Sequence, residues 1–231
     1  CDEAEAYIVA MAQAIAELRR QGAVVFVSSG NDGSTTALGA PACISTAITV
    51  GAVYDGNVGA FDGGVCWDSE TRADQVCCFS DSSDALDMLG PGAWITSSAM
   101  GLTAWESWGT SFASPHAAGV AALLHQLDPA LDADQLEALM VDTGVPVTDP
   151  RTGLEFPRVD VLAAVRTYPE ACADGQDNNA DGDADCADSL CAGEDGSAGQ
   201  LCEPDGEVSC FDGQDNDGDG RSDCDDADCR S

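Results

Sequence analysis

Ser111 follows Gly109 and Thr110 and opens the apolar run SFASPHAAGVAALLHQL, with His116 five residues later and His125 fourteen later. A serine hydroxyl is a weak nucleophile until a base within hydrogen-bond reach takes its proton. If Ser111 starts a helix, His116 lies about 140° round the axis, at ~100° per residue, and faces away. His125 lies about 21 Å along the same helix. The chain contains no third histidine. Two readings stay open: a helix-start serine with no chemistry, or a nucleophile whose base is supplied by residues absent from this chain.

A second stretch bears on that choice. SSGNDG, residues 28–33, closes the apolar run AVVFVSS. An Asn in a Gly-flanked turn at a strand end can aim its amide at a developing oxyanion, a contact typically worth roughly 3 kcal/mol. Asn31 and Ser111 would then be two parts of one acyl-transfer site.

Elements that could position them are legible in the first 168 residues. AEAYIVAMAQAIAELRRQG carries amphipathic helical spacing and ends near Gly22. AVVFVSS reads as a buried strand and AITVGAV as a second; ALDMLGPG and AWITSS read as two more, split by Pro91-Gly92. The run beginning at Ser111 is apolar nearly all round and is expected to be a buried helix, with Pro115 in its first turn or so. Asp132–Val141 reads as a helix capped by Asp132 or Asp134, and Val159–Arg166 as a short last one. Helices alternating with continuous apolar strands predict an α/β layer fold with a mostly parallel sheet.

With its long spacer, the pair SSGNDG and GTSFASPHAAG resembles the subtilisin-like serine peptidases (subtilases), and APACISTAITVGAV, CFSDSSDALDMLGPG and WITSS between them fit as well. The resemblance covers roughly residues 1–167. It implies that Ser111 is the nucleophile and Asn31 the oxyanion donor. Ser28, Ser29 and Gly30 would form one wall of the pocket for a polypeptide substrate. It makes His116 a structural histidine and Asp32 no member of the triad. In this family the triad order is Asp, His, Ser, yet no Asp-Thr/Ser-Gly or His-Gly-Thr segment occurs. The expectation is therefore a C-terminal half of the peptidase domain, inactive alone, with Cys1 an excision point inside a larger protein and the missing N-terminal half as its partner. The competing expectation is a calcium-stabilised extracellular adhesion or spacer protein with a degenerate, non-catalytic subtilase domain.

Bulk composition narrows the setting. The net charge is −34, with 42 acidic residues against eight basic ones, all Arg. Such a balance argues against nucleic acid and anionic membranes as partners. Twelve cysteines point to an oxidising, extracytoplasmic compartment; zinc is disfavoured, with no CxxC pair and two histidines. No stretch of about 20 apolar residues and no signal peptide is visible. Cys66 is expected to pair with Cys77 or Cys78, and Cys1 with Cys43, while connectivity does not follow from sequence alone.

The composition breaks near Tyr168-Pro169. Residues 171–231 hold 19 acidic and two basic residues and contain a repeat: Cys172, Cys186 and Cys191 align with Cys210, Cys224 and Cys229 at an offset of 38. Within it Asp177, Asn179, Asp181, Gly182, Asp183, Asp185 and Asp188 occupy positions 1, 3, 5, 6, 7, 9 and 12 of a calcium loop. Asp215, Asp217, Asp219, Gly220, Arg221, Asp223 and Asp226 occupy the same positions in the second copy. Position 7 gives a backbone carbonyl; Asp at position 12 in place of Glu weakens calcium relative to magnesium. The repeats are similar to thrombospondin type 3 modules. The tail, 169–231, is expected to be irregular, with a bridge inside each repeat (172–191 and 210–229) and calcium supplying folding energy that no apolar core provides.

Overall fold

The computed structural model describes residues 1–101, 103–168, 172–173, 175–179, 182–196, 200–204, 206–210, 212–222 and 225–229. They form two compact units, Cys1–Val161 and Leu162 onward.

The first unit is built on a five-stranded sheet. In chain order its strands are β1 (Phe26–Ser28), β2 (Ile48–Tyr54), β5 (Met88–Ala93), β8 (Val145–Thr148) and β9 (Glu155–Arg158), arranged β1-β2-β5-β9-β8. All neighbours run parallel except β8 and β9. The α/β, mostly parallel architecture predicted by the sequence is present. β2 is buried along its whole length, as a central parallel strand covered on both faces must be. β1 is shorter than AVVFVSS and half-buried, because among the described residues it pairs only with β2 and so forms the sheet edge.

Helix α1 (Ala6–Arg20) buries Ile8 and Ile15 against Ile44 and Ala47, with Val25 and Val27 beside them. Its Arg19 reaches Asp134 and Glu137 of α3 (Ala133–Asp142). Asp132 caps α3 through a full capping box with Gln135, the first of the two caps the sequence offered. Helix α2 (Thr110–Leu127) packs on β1, β2 and β5.

Three sequence expectations need correction. β5 does not end at Pro91-Gly92. Pro91 pairs with Val53 and Ala93 with Tyr54, so a bulge at Gly92 absorbs the irregularity; the break comes at Trp94, whose φ is +54°. Helix α2 is not buried all round. Ala113, Ala117, Ala121 and Leu124 face the sheet, while Leu123 and Leu127 are exposed because no described residue covers that side. Pro115 lies in the second turn, so the Ser111 carbonyl has no helical donor there.

Beyond β5, β6 (Ile95–Ala99) and β7 (Thr103–Ser107) form an antiparallel hairpin that leads into α2. Trp105 on it is exposed, whereas Trp108 packs with its ring 4.7 Å from Phe79 and 5.4 Å from Phe61. β3 (Phe61–Asp62) and β4 (Trp67–Asp68) make a small second hairpin. Cys1 bonds Cys43 and Cys66 bonds Cys78. Cys77 is a buried free thiol; burial raises its pKa, and Tyr54 beside it is pushed up for the same reason.

The second unit takes in α4 (Val161–Val165) from Leu162 onward and is otherwise irregular, with two single-turn 3-10 segments. Cys172–Cys191 and Cys210–Cys229 place one bridge in each repeat, and Cys186–Cys202 adds a third. Cys224 lies outside the described residues. The apolar cluster of this unit consists of half-cystines, Cys186, Cys191 and Cys202 with Cys172 against them. Among the described residues no helix is long and apolar enough to cross a membrane.

Candidate active site

In open parallel sheets the turns at the carboxyl ends of strands are where ligands meet the backbone. Here β1 ends at Ser28 and releases the turn Ser29–Ser34, while β5 ends beside Gly109, whose N–H donates to the Gly92 carbonyl at 2.8 Å. Helix α2 starts one residue later, at Thr110. Asn31 and Ser111, 80 residues apart, are thereby brought together by sheet register.

Thr110 fixes the Asn31 amide. Its backbone N–H donates to Asn31 Oδ1 at 2.8 Å, and its hydroxyl to the same oxygen at 3.1 Å. A backbone N–H can only donate, so the atom facing it is the carbonyl oxygen, and the donor end of the amide, Nδ2, points elsewhere. The amide lies beside the serine: a point one Cβ bond from Gly109 is 3.2 Å from Ser111 Oγ, 3.5 Å from Asn31 Nδ2 and 3.6 Å from Asn31 Oδ1. Any side chain at 109 would occupy that space, and its φ of +140° demands glycine in any case. Ser111 sits in the first turn of α2, where its N–H has no intrahelical acceptor and the macrodipole favours negative charge.

Neither histidine approaches as a base. His116 Nδ1 bonds the Phe112 carbonyl at 2.8 Å, one turn back on its own helix. His125 lines a cavity of about 220 Å³ with Gly22, Val24, Phe26, Ala118 and Ala122.

Ser28 and Gly30 are half-buried, and Ser29 is buried with its hydroxyl toward Ser80. Asp32 contributes its N–H to Asp81 rather than a carboxylate to the serine. Sequence reasoning missed Asp81. It lies in Ser80–Ser83, four consecutive polar residues that are all buried, and Oδ1 accepts from Asp32 N–H at 3.0 Å and Ser34 N–H at 2.7 Å. Burial raises its pKa, opposed by those two amides. The available signal was a charged residue inside a buried small-polar run.

In the tail, Asp215, Asp217 and Asp219 present carboxylate oxygens within 4.8 Å of one another, and so do Asp217, Asp226 and Asp228. Asp226 is 1% exposed and its Oδ2 has no hydrogen-bond partner among the described residues. Asp228 was not singled out from the sequence. Arg221 turns its guanidinium to within 3.9 Å of Asp219, and its N–H donates to that carboxylate. Asp181 and Asp223 lie outside the described residues. In the first repeat Asp177 accepts from Gly182 N–H. Asn179 donates to Asp188 at 2.6 Å, Asp185 turns to Gly175, and Asp183 is exposed. Carboxylates of both repeats accept bonds from within the protein, and among the described residues those that converge belong to the second repeat.

A parallel α/β sheet with a serine at a helix N-terminus and an Asn amide at a strand end defines the class, and comparison with known proteins sharpens it. The model of the Subtilase family matches residues 3–182. The chain belongs to the subtilase family. It is 32% identical to the Minor extracellular protease Epr of Bacillus subtilis (strain 168) over 162 residues, 68% of this chain and 22% of that protein. It is 36% identical to Subtilisin E of the same organism over 111 residues, 47% of this chain and 25% of that one. Among solved structures, a protease of Pseudoalteromonas arctica PAMC 21717 superposes with a TM-score of 0.54 at 26% identity, covering 68% of this chain and 46% of that one. The chain thus spans less than half the length of these relatives.

Proposed function

We propose that this chain supplies the nucleophile and the oxyanion hole of a secreted subtilisin-like serine endopeptidase. The observation that carries the reading is the placement of Ser111 Oγ and Asn31 Nδ2 about one space, with Thr110 holding the amide oxygen. Ser111 Oγ would add to the carbonyl carbon of a peptide, its proton passing to a base. The charge formed on the carbonyl oxygen would be received by Asn31 Nδ2 and the Ser111 N–H. Collapse expels the amine, which takes the proton, and water releases the acyl group by the same steps. Ser28, Ser29 and Gly30 would line the substrate through their backbone.

The base is a histidine outside these 231 residues, oriented by an Asp also outside them. The open edge of β1, the cavity beside it and the exposed Leu123 side of α2 are where that segment would add. Parallel sheets are otherwise covered on both faces.

Residues 169–231 are proposed to form a calcium-binding module. Asp215, Asp217, Asp219 and Asp226 would be the side-chain ligands, with Asp228 and the Arg221 carbonyl beside them. The buried oxygen of Asp226 fits an oxygen-seeking cation, which needs several such ligands at one point. The disulfides and the extracellular relatives support an extracytoplasmic setting.

Two measurements test this. A fluorophosphonate probe should not label the folded chain alone, and should label Ser111 once the upstream segment is joined to it, with Ser111→Ala blank in both. Labelling of the chain alone would locate a base within it and overturn the half-site reading. In the joined protein, Asn31→Ala should lower kcat by about 10²–10³, a magnitude known from subtilisin rather than from this chain. For the tail, calcium titration by calorimetry should show binding that Asp217→Asn weakens at least about tenfold; an unchanged isotherm would remove the site.

A further inference from the structure

The turn that carries Asn31 has little rigidity of its own. Gly30 and Gly33 both hold positive φ, +120° and +67°, and no regular ladder includes them. Yet an oxyanion donor must be held within about 0.5 Å of its productive place. Thr110 grips the side chain and, through its hydroxyl, the Gly30 backbone at 3.3 Å, which leaves the backbone of Asp32–Ser34 to be fixed from the other side.

The segment 79–82 does this. Asp81 N–H donates to the Gly30 carbonyl at 3.0 Å, Gly33 N–H to the Phe79 carbonyl at 2.8 Å, and Ser82 N–H to the Ser34 carbonyl at 2.8 Å. Between these rungs the Asp81 carboxylate enters the concave side of the turn and takes the amides of Asp32 and Ser34 on one oxygen. Its other oxygen lies against Gly30, where a Cβ would come within 2.1 Å of it. Two amides of one turn converge on one oxygen, while the Gly33 amide between them is turned to Phe79; turn amides can hold an anion in this way, and here the anion belongs to the protein. The segment is itself clamped. Arg151 donates to the Cys78 carbonyl at 2.7 Å and the Ser80 carbonyl at 2.9 Å while paired with the buried Asp149.

We propose that Asp81 is a positioning residue for Asn31, acting as an internal anion that sets the turn and so aims Nδ2 at the oxyanion. The proposal rests on Asn31 being the oxyanion donor. Asp81 touches neither substrate nor the reacting atoms.

A double-mutant cycle in the active protein tests it. Asp81→Ala should lower kcat at least about tenfold with KM unchanged, since a small misplacement of a catalytic group has that effect. Asp81→Asn, which keeps one acceptor oxygen, should restore most of the loss. In an Asn31→Ala background Asp81→Ala should cost nothing further. A full additional loss there, or a change confined to KM, overturns the proposal. Amide hydrogen exchange in the unmodified 231-residue chain supplies a readout without catalysis. Asp32 and Ser34 amides should be protected, and should lose protection in Asp81→Ala while Val50 and Ala52 keep theirs. Unprotected amides in the unmodified chain overturn the positioning itself. An Asn31→Ala variant with full kcat, alongside protected amides, would instead sink the oxyanion reading.

Discussion

The two units reach a fixed structure by different means. In the first, β2 and β5 bury Val50, Ala52, Val53, Met88 and Leu89 completely, with α2 packed on these strands and Leu38, Ala42, Val76 and Leu86 clustered with Val53 and Leu89. In the second, the buried cluster is made of half-cystines and the fully buried polar side chains include Asn179, Asp188, Asn216 and Asp226. Apolar burial is non-directional and tolerates a sheet and helix of many sequences. Cross-links and carboxylate loops are local and specific, so a short chain can fold on them without a core. The catalytic candidates sit in the first kind of scaffold, where side chains 80 residues apart can be placed to a fraction of an ångström. The cation candidates sit in the second, where every candidate lies between Asp215 and Asp228.

Reduction together with chelation separates the two most sharply. Amide protection over 172–229 should vanish while β2 and β5 keep theirs; parallel loss in both units would break the comparison. Next in size is Leu89→Ala, which should destabilise the first unit by about 2–5 kcal/mol in denaturant melts, with exchange in the tail unaffected. Its counterpart, Cys172→Ser with Cys191→Ser, should cost the tail about 3 kcal/mol and leave the first unit intact.

A smaller effect concerns acid. Burial by itself raises the Asp149 pKa, but the hydrogen bonds and charge of Arg151 outweigh it, so the carboxyl is held below its ordinary 3.8. A depressed carboxyl contributes stability that is fully present above its unfolded pKa and is lost as pH falls through the folded one. Asp149→Asn should therefore flatten the acid limb of the first unit's stability curve below about pH 4, with no such change in the tail. An unaltered limb would mean that the Asp149–Arg151 pair does not govern it. The smallest expected change is Asp132→Ala, about 1 kcal/mol from the lost α3 cap, read as a small drop in melting midpoint.

Much of this was legible in one dimension. Helices α1, α2 and α3 follow from apolar spacing and a capping residue, and the repeat register places one bridge in each copy, because these patterns are set by residues three, four or a few tens of positions apart. The segment GTSFASPHAAG, on which the family resemblance rests, was equally plain. What the sequence left open is long-range. It offered Cys77 and Cys78 equally for Cys66, and the sheet decided, burying the Cys77 thiol beside Tyr54. It marked α2 as apolar all round, and only the packing shows which side the sheet takes. It paired Asn31 with Ser111 by motif but not in space; strand order β1-β2-β5 and the Gly92–Gly109 contact bring them to one place. Asp81 shows in the sequence only as an acid within the small-polar run Ser80–Ser83, and its meaning depends on which turn folds against it. Local periodicity is encoded where it acts, whereas convergence across a sheet is fixed only when every intervening register has been chosen.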